Sequence, residues 1–263
     1  MDAAADLQQT PQAHIDQLAA YLAAAQRIVA FTGAGVSTES GIPDFRSPGG
    51  VWDQNKPIQY HDFLASNDAR RETWRRGLQT YPVVAAAQPN SAHRALVTLE
   101  QRGKLLGVVT QNIDGLHIQA GHAPDRVIEL HGNAHGVRCL SCDDAAPRTA
   151  VHARVLAGEL EPPCITCGGI LKPTTISFGE PMPRGPLLRA EALMRQADLV
   201  LVVGSTLIVQ PAATLPMVAV RQGTPLVIVN LTATPLDDVA ALVVRGRAGE
   251  TLPPAVELAL RPS

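Results

Sequence analysis

The sequence predicts an α/β fold: a doubly wound, Rossmann-like parallel sheet of about six strands, with a smaller lobe formed by two insertions. Three observations carry that expectation. Short, nearly continuous apolar runs rich in Val, Ile and Leu recur along the chain, as strands buried on both faces require. Helical patterns separate them, and strand alternating with helix marks crossover units around a parallel sheet. Two intervals, 36–90 and 133–175, break this rhythm and are too long for single crossovers.

In chain order, a helix is expected over 15–25 and a strand over 28–32 that runs into Gly33-Ala34-Gly35. Residues 36–90 form a helical insert with one helix over 68–78. A helix over 91–100 and strands over 106–110 and 127–130 follow. After the second insert come a helix at 186–196, a strand at 199–203, a helix at 212–221, and strands at 226–230 and 242–244. The chain therefore reads as a single domain over 1–263. Its sheet lobe is assembled from 15–35, 91–132 and 176–252, and its small module from 133–175.

With 263 residues, 46% of them hydrophobic, the chain can bury a full core, which excludes global disorder. A net charge of −2 and the lack of any Lys/Arg run argue against nucleic-acid binding as a main activity. No secretory pattern is read in residues 1–13, and the longest apolar run is too short to span a bilayer. A reducing, cytoplasmic location is expected, with no membrane partner.

The second insert holds all four cysteines. Cys139-x-x-Cys142 and Cys164-x-x-Cys167 are 21 residues apart. Two such turns place four thiolates around Zn²⁺, and four thiolates leave no open position for catalysis, so the zinc is expected to be structural. Disulfides or free core thiols are the competing reading.

The turn Gly33-Ala34-Gly35-Val36-Ser37 follows a buried strand, where backbone N–H groups can approach a pyrophosphate. The third glycine of the usual dinucleotide fingerprint is replaced by Thr38. No acidic residue ends a second strand about twenty positions on, so an ordinary nicotinamide dehydrogenase fits poorly.

The longer run Thr32-Gly-Ala-Gly-Val-Ser-Thr-Glu-Ser-Gly-Ile-Pro-Asp-Phe-Arg46 resembles the signature of the sirtuins, NAD-dependent protein-lysine deacylases. Further matches follow in family order: Gln111-Asn112-Ile113-Asp114, Glu129-Leu130-His131-Gly132-Asn133, the cysteine couplets, Phe178-Gly179-Glu180, Gly204-Ser205-Thr206-Leu207 and Val229-Asn230-Leu231. The resemblance covers about residues 15–252.

It implies roles for individual positions. Gly33, Ala34 and Gly35 should line the NAD diphosphate, and Thr38, Phe45 and Arg46 belong to a cofactor loop. Gln111, Asn112, Ile113 and Asp114 should surround the nicotinamide ribose. Gly204, Ser205, Thr206, Asn230 and Leu231 should hold the adenosine half, with Ala248 near the adenine. Ile176, Phe178, Gly179, Glu180 and Val209 should border an acyl-lysine tunnel, where an extended peptide substrate adds as a strand.

An amide oxygen is a weak nucleophile and needs an electrophile held close, which a ribose carbon bearing cationic nicotinamide supplies. A ribose hydroxyl must later lose a proton, a task for a base near neutral pKa. His131 is the candidate base, with Asn112 orienting the ribose or a water. Of the other histidines, His14, His61, His122 and His152 are read as solvent-facing, and His93 and His117 as capping or packing residues. His135 is not read as a zinc ligand.

Sirtuins that prefer succinyl- or malonyl-lysine carry a Tyr-x-x-Arg pair in the helical insert. Here Phe63 follows Tyr60 at that spacing and Val84 follows Tyr81. Neutral acyl groups are therefore expected, and residues 74–90 are similar to class II sirtuins. Three other activities compete: mono-ADP-ribosyl transfer on the same scaffold, a non-catalytic NAD sensor, and hydride transfer.

Overall fold

The computed structural model describes residues 11–44 and 56–261. Its main sheet starts with β1 (Ile28–Thr32), β2 (Leu105–Thr110) and β3 (Val127–Glu129). A small antiparallel sheet follows: β4 (Gly136–Cys139), β5 (Ala145–Pro147) and β6 (Leu171–Pro173), in the order β5-β4-β6. Then β7 (Leu199–Val203), β8 (Leu226–Val229) and β9 (Leu242–Val244) complete the main sheet. Its order is β3-β2-β1-β7-β8-β9 and every pairing is parallel. The order reverses between β1 and β7, the crevice in which open α/β sheets bind ligands.

The helices are α1 (Gln12–Ala24), α2 (Tyr60–Ala65), α3 (Asn67–Ala86), α4 (Ser91–Gln101), α5 (Leu116–Ala120), α6 (Arg148–Leu156), α7 (Arg184–Gln196), α8 (Leu215–Val220) and α9 (Ala248–Ala259). Strand β1 shows why the apolar runs are continuous. Ile28 and Ala30 pack with Leu18 and Leu22 of α1, Leu96 of α4 and Leu252 of α9. Val29 and Phe31 pack on the opposite face with Ala190 and Met194 of α7 and Leu215 of α8. Both faces are covered, so no polar alternation survives.

Three departures from the sequence reading have physical causes. Helix α3 continues through Pro82 to Ala86 instead of stopping near 78, because Trp74, Gly77 and Tyr81 bury one face of it. Helix α9 forms despite Pro253 and Pro254. Each interior proline costs about 3 kcal/mol. Burial of Leu252, Ala255 and Val256 opposes this, at roughly 2 kcal/mol for each larger side chain. The Ser91 hydroxyl also donates to the Gly249 carbonyl at 3.0 Å, the acceptor that Pro253 has no N–H to meet. His122, expected at the surface, is buried, with its Nδ1 2.5 Å from a Glu100 carboxylate oxygen. His14 and His152 are half-buried, and His61 is exposed.

His93 and His117 are interior residues. The His93 ring accepts from the Asn90 N–H and completes a capping box at the start of α4. Burial, aided by the charges of neighbouring groups, holds His93 down to about 4, so it stays neutral.

Candidate functional site

A cleft of about 700 Å³ opens at the carboxyl ends of β1, β2, β7 and β8. Each strand delivers its next residues to the wall: Gly33, Ala34, Gly35 and Thr38 after β1, Gln111, Asn112 and Ile113 after β2. Gly204, Ser205, Thr206 and Val209 follow β7, and Asn230 and Leu231 follow β8. His131 comes from the loop after β3, and Ile176, Phe178, Gly179 and Glu180 from the segment after β6. Phe45 and Arg46 lie outside the described residues.

The glycines permit a close approach of backbone to backbone. The Gly35 N–H donates to the Gly204 carbonyl at 2.8 Å, and a Cβ on Gly35 would sit 2.8 Å from the Gly204 Cα. Gly204 itself has φ +60°, a left-handed conformation that side chains disfavour.

The His131 Nδ1 lies 2.9 Å from the Gln111 carbonyl oxygen. A carbonyl can only accept, so Nδ1 carries the proton and Nε2 keeps a lone pair. Burial pushes the His131 pKa below its ordinary value, and the Gln111 contact partly offsets this. A neutral imidazole with a basic Nε2 therefore sits on the cleft wall at neutral pH.

Behind Asn112 runs a fixed chain. The Asn112 side-chain amide donates to Ser37 Oγ at 3.0 Å, and the Ser37 hydroxyl donates to Asp114 Oδ2 at 2.7 Å. The other Asp114 oxygen accepts from the Leu116 N–H at 3.0 Å. This ordering turns the amide N–H of Asn112 inward and leaves its oxygen as the group it can offer to the cleft.

Two residues expected against the cofactor do not line the cleft. Asp114 is buried behind Ser37, where its carboxylate is already occupied. Ala248 starts α9 and is buried in the core beside α1 and α4.

The cleft wall formed by residues 176–180 is held in place by contacts with Tyr60, His131 and Lys172. The Tyr60 N–H donates to the Phe178 carbonyl at 2.8 Å, and the Ile176 N–H donates to the His131 carbonyl at 2.8 Å. Glu180 accepts from the Ser177 N–H and pairs with buried Lys172 at 2.8 Å. Burial lowers the Lys172 pKa, and Glu180 opposes the shift.

The four cysteine sulfurs lie within 4.8 Å of one another. Cys139 and Cys167 are 3.5 Å apart, Cys142 and Cys164 3.8 Å. A zinc–sulfur bond of about 2.3 Å in tetrahedral geometry requires sulfurs roughly 3.8 Å apart, so the cluster fits zinc, and a disulfide at about 2.05 Å does not fit. His135 is engaged elsewhere, with its Nε2 2.9 Å from the Asp114 carbonyl oxygen.

Residues 33–211 match the model of the Sir2 family. The chain belongs to the Sir2 family. It is 48% identical over 242 residues to NAD-dependent protein deacetylase 1 of Bradyrhizobium diazoefficiens, covering 92% of this chain and 95% of that protein. It is 45% identical to an NAD-dependent protein deacetylase of Rhodopseudomonas palustris, covering 92% and 96%. A solved Sir2 structure with a p53 peptide and NAD+ superposes with a TM-score of 0.84 at 37% identity, over 92% of this chain and 97% of that one. A Sir2 structure bound to a propionylated peptide gives the same values.

For this sirtuin the close approach at Gly35 gives a direct test. Gly35→Ala is expected to push the loop after β1 away from that after β7, an overpacking that costs about 1–3 kcal/mol. Felt in the cofactor site, that is roughly a ten- to hundredfold loss of NAD affinity by calorimetry. Unchanged affinity would remove this loop from the cofactor site. The sequence reading of the cleft omitted Ile58, Met182 and Thr232. Thr232 had a signal, since it follows Asn230 by two residues and accepts from its amide at 2.9 Å. Ile58 and Met182 lie far in sequence from any strand end and had none.

Proposed function

We propose that this sirtuin removes acyl groups from lysine side chains of proteins, with NAD consumed as co-substrate and His131 as the general base. The carrying observation is the fixed tautomer of His131: Nδ1 is held by the Gln111 carbonyl while Nε2 remains basic on the wall of the cleft at the strand ends. Its relatives named as NAD-dependent protein deacetylases support the same reaction class.

Bound NAD would supply an electrophilic ribose carbon, joined to nicotinamide, for the acyl oxygen to attack. The chain's own groups do the rest. Gly33, Ala34 and Gly35 receive the diphosphate, and Ser205 and Asn230 the adenosine half. Asn112, oriented through Ser37 and Asp114, offers its amide oxygen to a ribose hydroxyl or a water. His131 Nε2 takes the ribose proton, and Ile113 and Ile176 keep water from the reacting atoms. Glu180, held by Lys172, and Phe178, held by Tyr60, fix the segment against which a peptide strand adds.

The zinc site would act on folding, because four thiolates leave no open position on the metal. No helix among the described residues is long and apolar enough to cross a membrane. A reducing compartment such as the cytoplasm suits the thiolates.

The test is incubation with NAD and an acetyl-lysine peptide. Nicotinamide, deacetylated peptide and 2′-O-acetyl-ADP-ribose should appear in equal amounts. ADP-ribose attached to a protein acceptor, without deacylation, would instead make the enzyme an ADP-ribosyltransferase.

A further inference from the structure

A second cavity, of about 510 Å³, lies between the helical insert and the zinc module. It shares Ile58, Ile113, Thr175 and Ser177 with the main cleft, so the two adjoin along these residues. Three cations line it, and two are satisfied. Arg76 donates to Glu72 at 2.7 Å and to the Lys56 carbonyl at 2.6 Å, and Lys172 is paired with Glu180.

Arg148, the first residue of α6, is different. It is 4% exposed, its Nε is buried without a hydrogen-bond partner, and no carboxylate pairs with it among the described residues. Its guanidinium lies 4.5 Å from the centre of the Trp74 ring and 5.5 Å from that of Tyr81. A side chain at Gly77 would collide with its Nη2, so α3 leaves room for this group. Burial lowers its pKa to about 10, which still leaves it charged at neutral pH. Stacking on two rings offsets part of the desolvation. It supplies no acceptor for the planar fork of N–H donors, which matches a carboxylate.

Building on the deacylase reading, we infer that this cavity receives the distal carboxylate of an acidic acyl chain on the substrate lysine, bound by Arg148. The stem of the chain would pass Ile113 and Ile58 from the cleft and meet Phe63 and Pro173. The carboxylate is a spectator: the acyl carbonyl reacts in the cleft, and no bond to the distal group forms or breaks. The missing Tyr-x-x-Arg pair points to neutral acyl groups, but a cation arriving from α6 lies outside that pattern.

The experiment compares acetyl-, pentanoyl- and glutaryl-lysine peptides with NAD, the last two having the same number of acyl carbons. Wild-type kcat/KM for glutaryl-lysine should equal or exceed that for pentanoyl-lysine. Arg148→Gln should lower the glutaryl value at least tenfold while the acetyl value stays within about twofold. Arg148→Lys should recover part of the loss. Should Arg148→Gln misfold by its melting curve, Gly77→Ala provides a second route: it displaces the guanidinium and should remove the same selectivity. Glutaryl turnover a hundredfold below pentanoyl in wild type, or a ratio unchanged in both variants, overturns the inference. So does inhibition by free glutarate through Arg148 without glutaryl-lysine turnover, which would place a free acid there. Failure with every peptide, acetyl included, counts against the deacylase reading itself.

Discussion

Cys142→Ala should abolish NAD-dependent deacylation although Cys142 does not line the cofactor cleft. The four sulfurs are the junction of the small module. Cys139 ends β4, Cys142 lies in the turn before β5, and Cys164 and Cys167 flank the turn leading to β6. Around them the apolar cluster is small: Trp74, Val137, Val151, Val155 and Leu171, with Cys139 and Cys164 among them. So few side chains cannot hold three short strands together, and metal binding and local folding are one equilibrium. Apparent zinc affinities in such sites reach about 10–16 kcal/mol, at least as much as these five side chains supply at roughly 2 kcal/mol each. The damage should travel. Strand β6 pairs with β4 and continues into Thr174, which bonds to Gly136, and Ile176, which bonds to His131. Metal analysis of the wild type should find one zinc per chain, and the variant close to none, with a lower melting temperature and loss of acetyl-lysine turnover. Active wild-type protein without zinc would contradict this.

The zinc cluster was legible because a ligand pair three residues apart is a local feature. So were β1, β7 and β8, whose runs such as Leu199–Val203 are nearly continuously apolar, since helices cover both faces. Strand ends were predictable to within about a residue, and so, therefore, was the edge on which Gly35, Gln111, Gly204 and Asn230 meet. Less local features escaped. The helix over Ala248–Ala259 was not read, and the groups that outweigh its two prolines, Ser91 and the partners of Leu252, come from elsewhere in the chain. His122 was read as solvent-facing, but Glu100, 22 positions earlier, is its partner in the interior. Arg148 is the clearest case. Its isolation depends on Trp74, Gly77 and Tyr81 of α3 lying beside α6, and no spacing within either segment announces that contact.

His131→Ala should separate catalysis from cofactor binding. The residues placed against the diphosphate and adenosine, Gly33, Gly35, Ser205 and Asn230, stand on β1, β7 and β8, and none is hydrogen-bonded to the His131 side chain. NAD affinity by calorimetry should therefore change by no more than a few-fold, and the melting temperature only slightly. Deacylation should fall by about a hundredfold or more, the usual contribution of a positioned general base. Exchange of labelled nicotinamide into NAD should survive better than product formation, because it needs the electrophile captured but not the later proton removed. The pH profile adds an independent reading. Only the neutral imidazole can accept a proton, so kcat/KM should decline on the acid side. Burial lowers the His131 pKa from 6.5, so the neutral base persists to lower pH than in an exposed histidine, and the decline should be centred below pH 6.5. An acid limb above that value would mean that another group is being titrated. A His131→Ala enzyme with near-wild-type deacylation would show that the ribose proton leaves by another route, and the base would have to be sought elsewhere on the cleft wall.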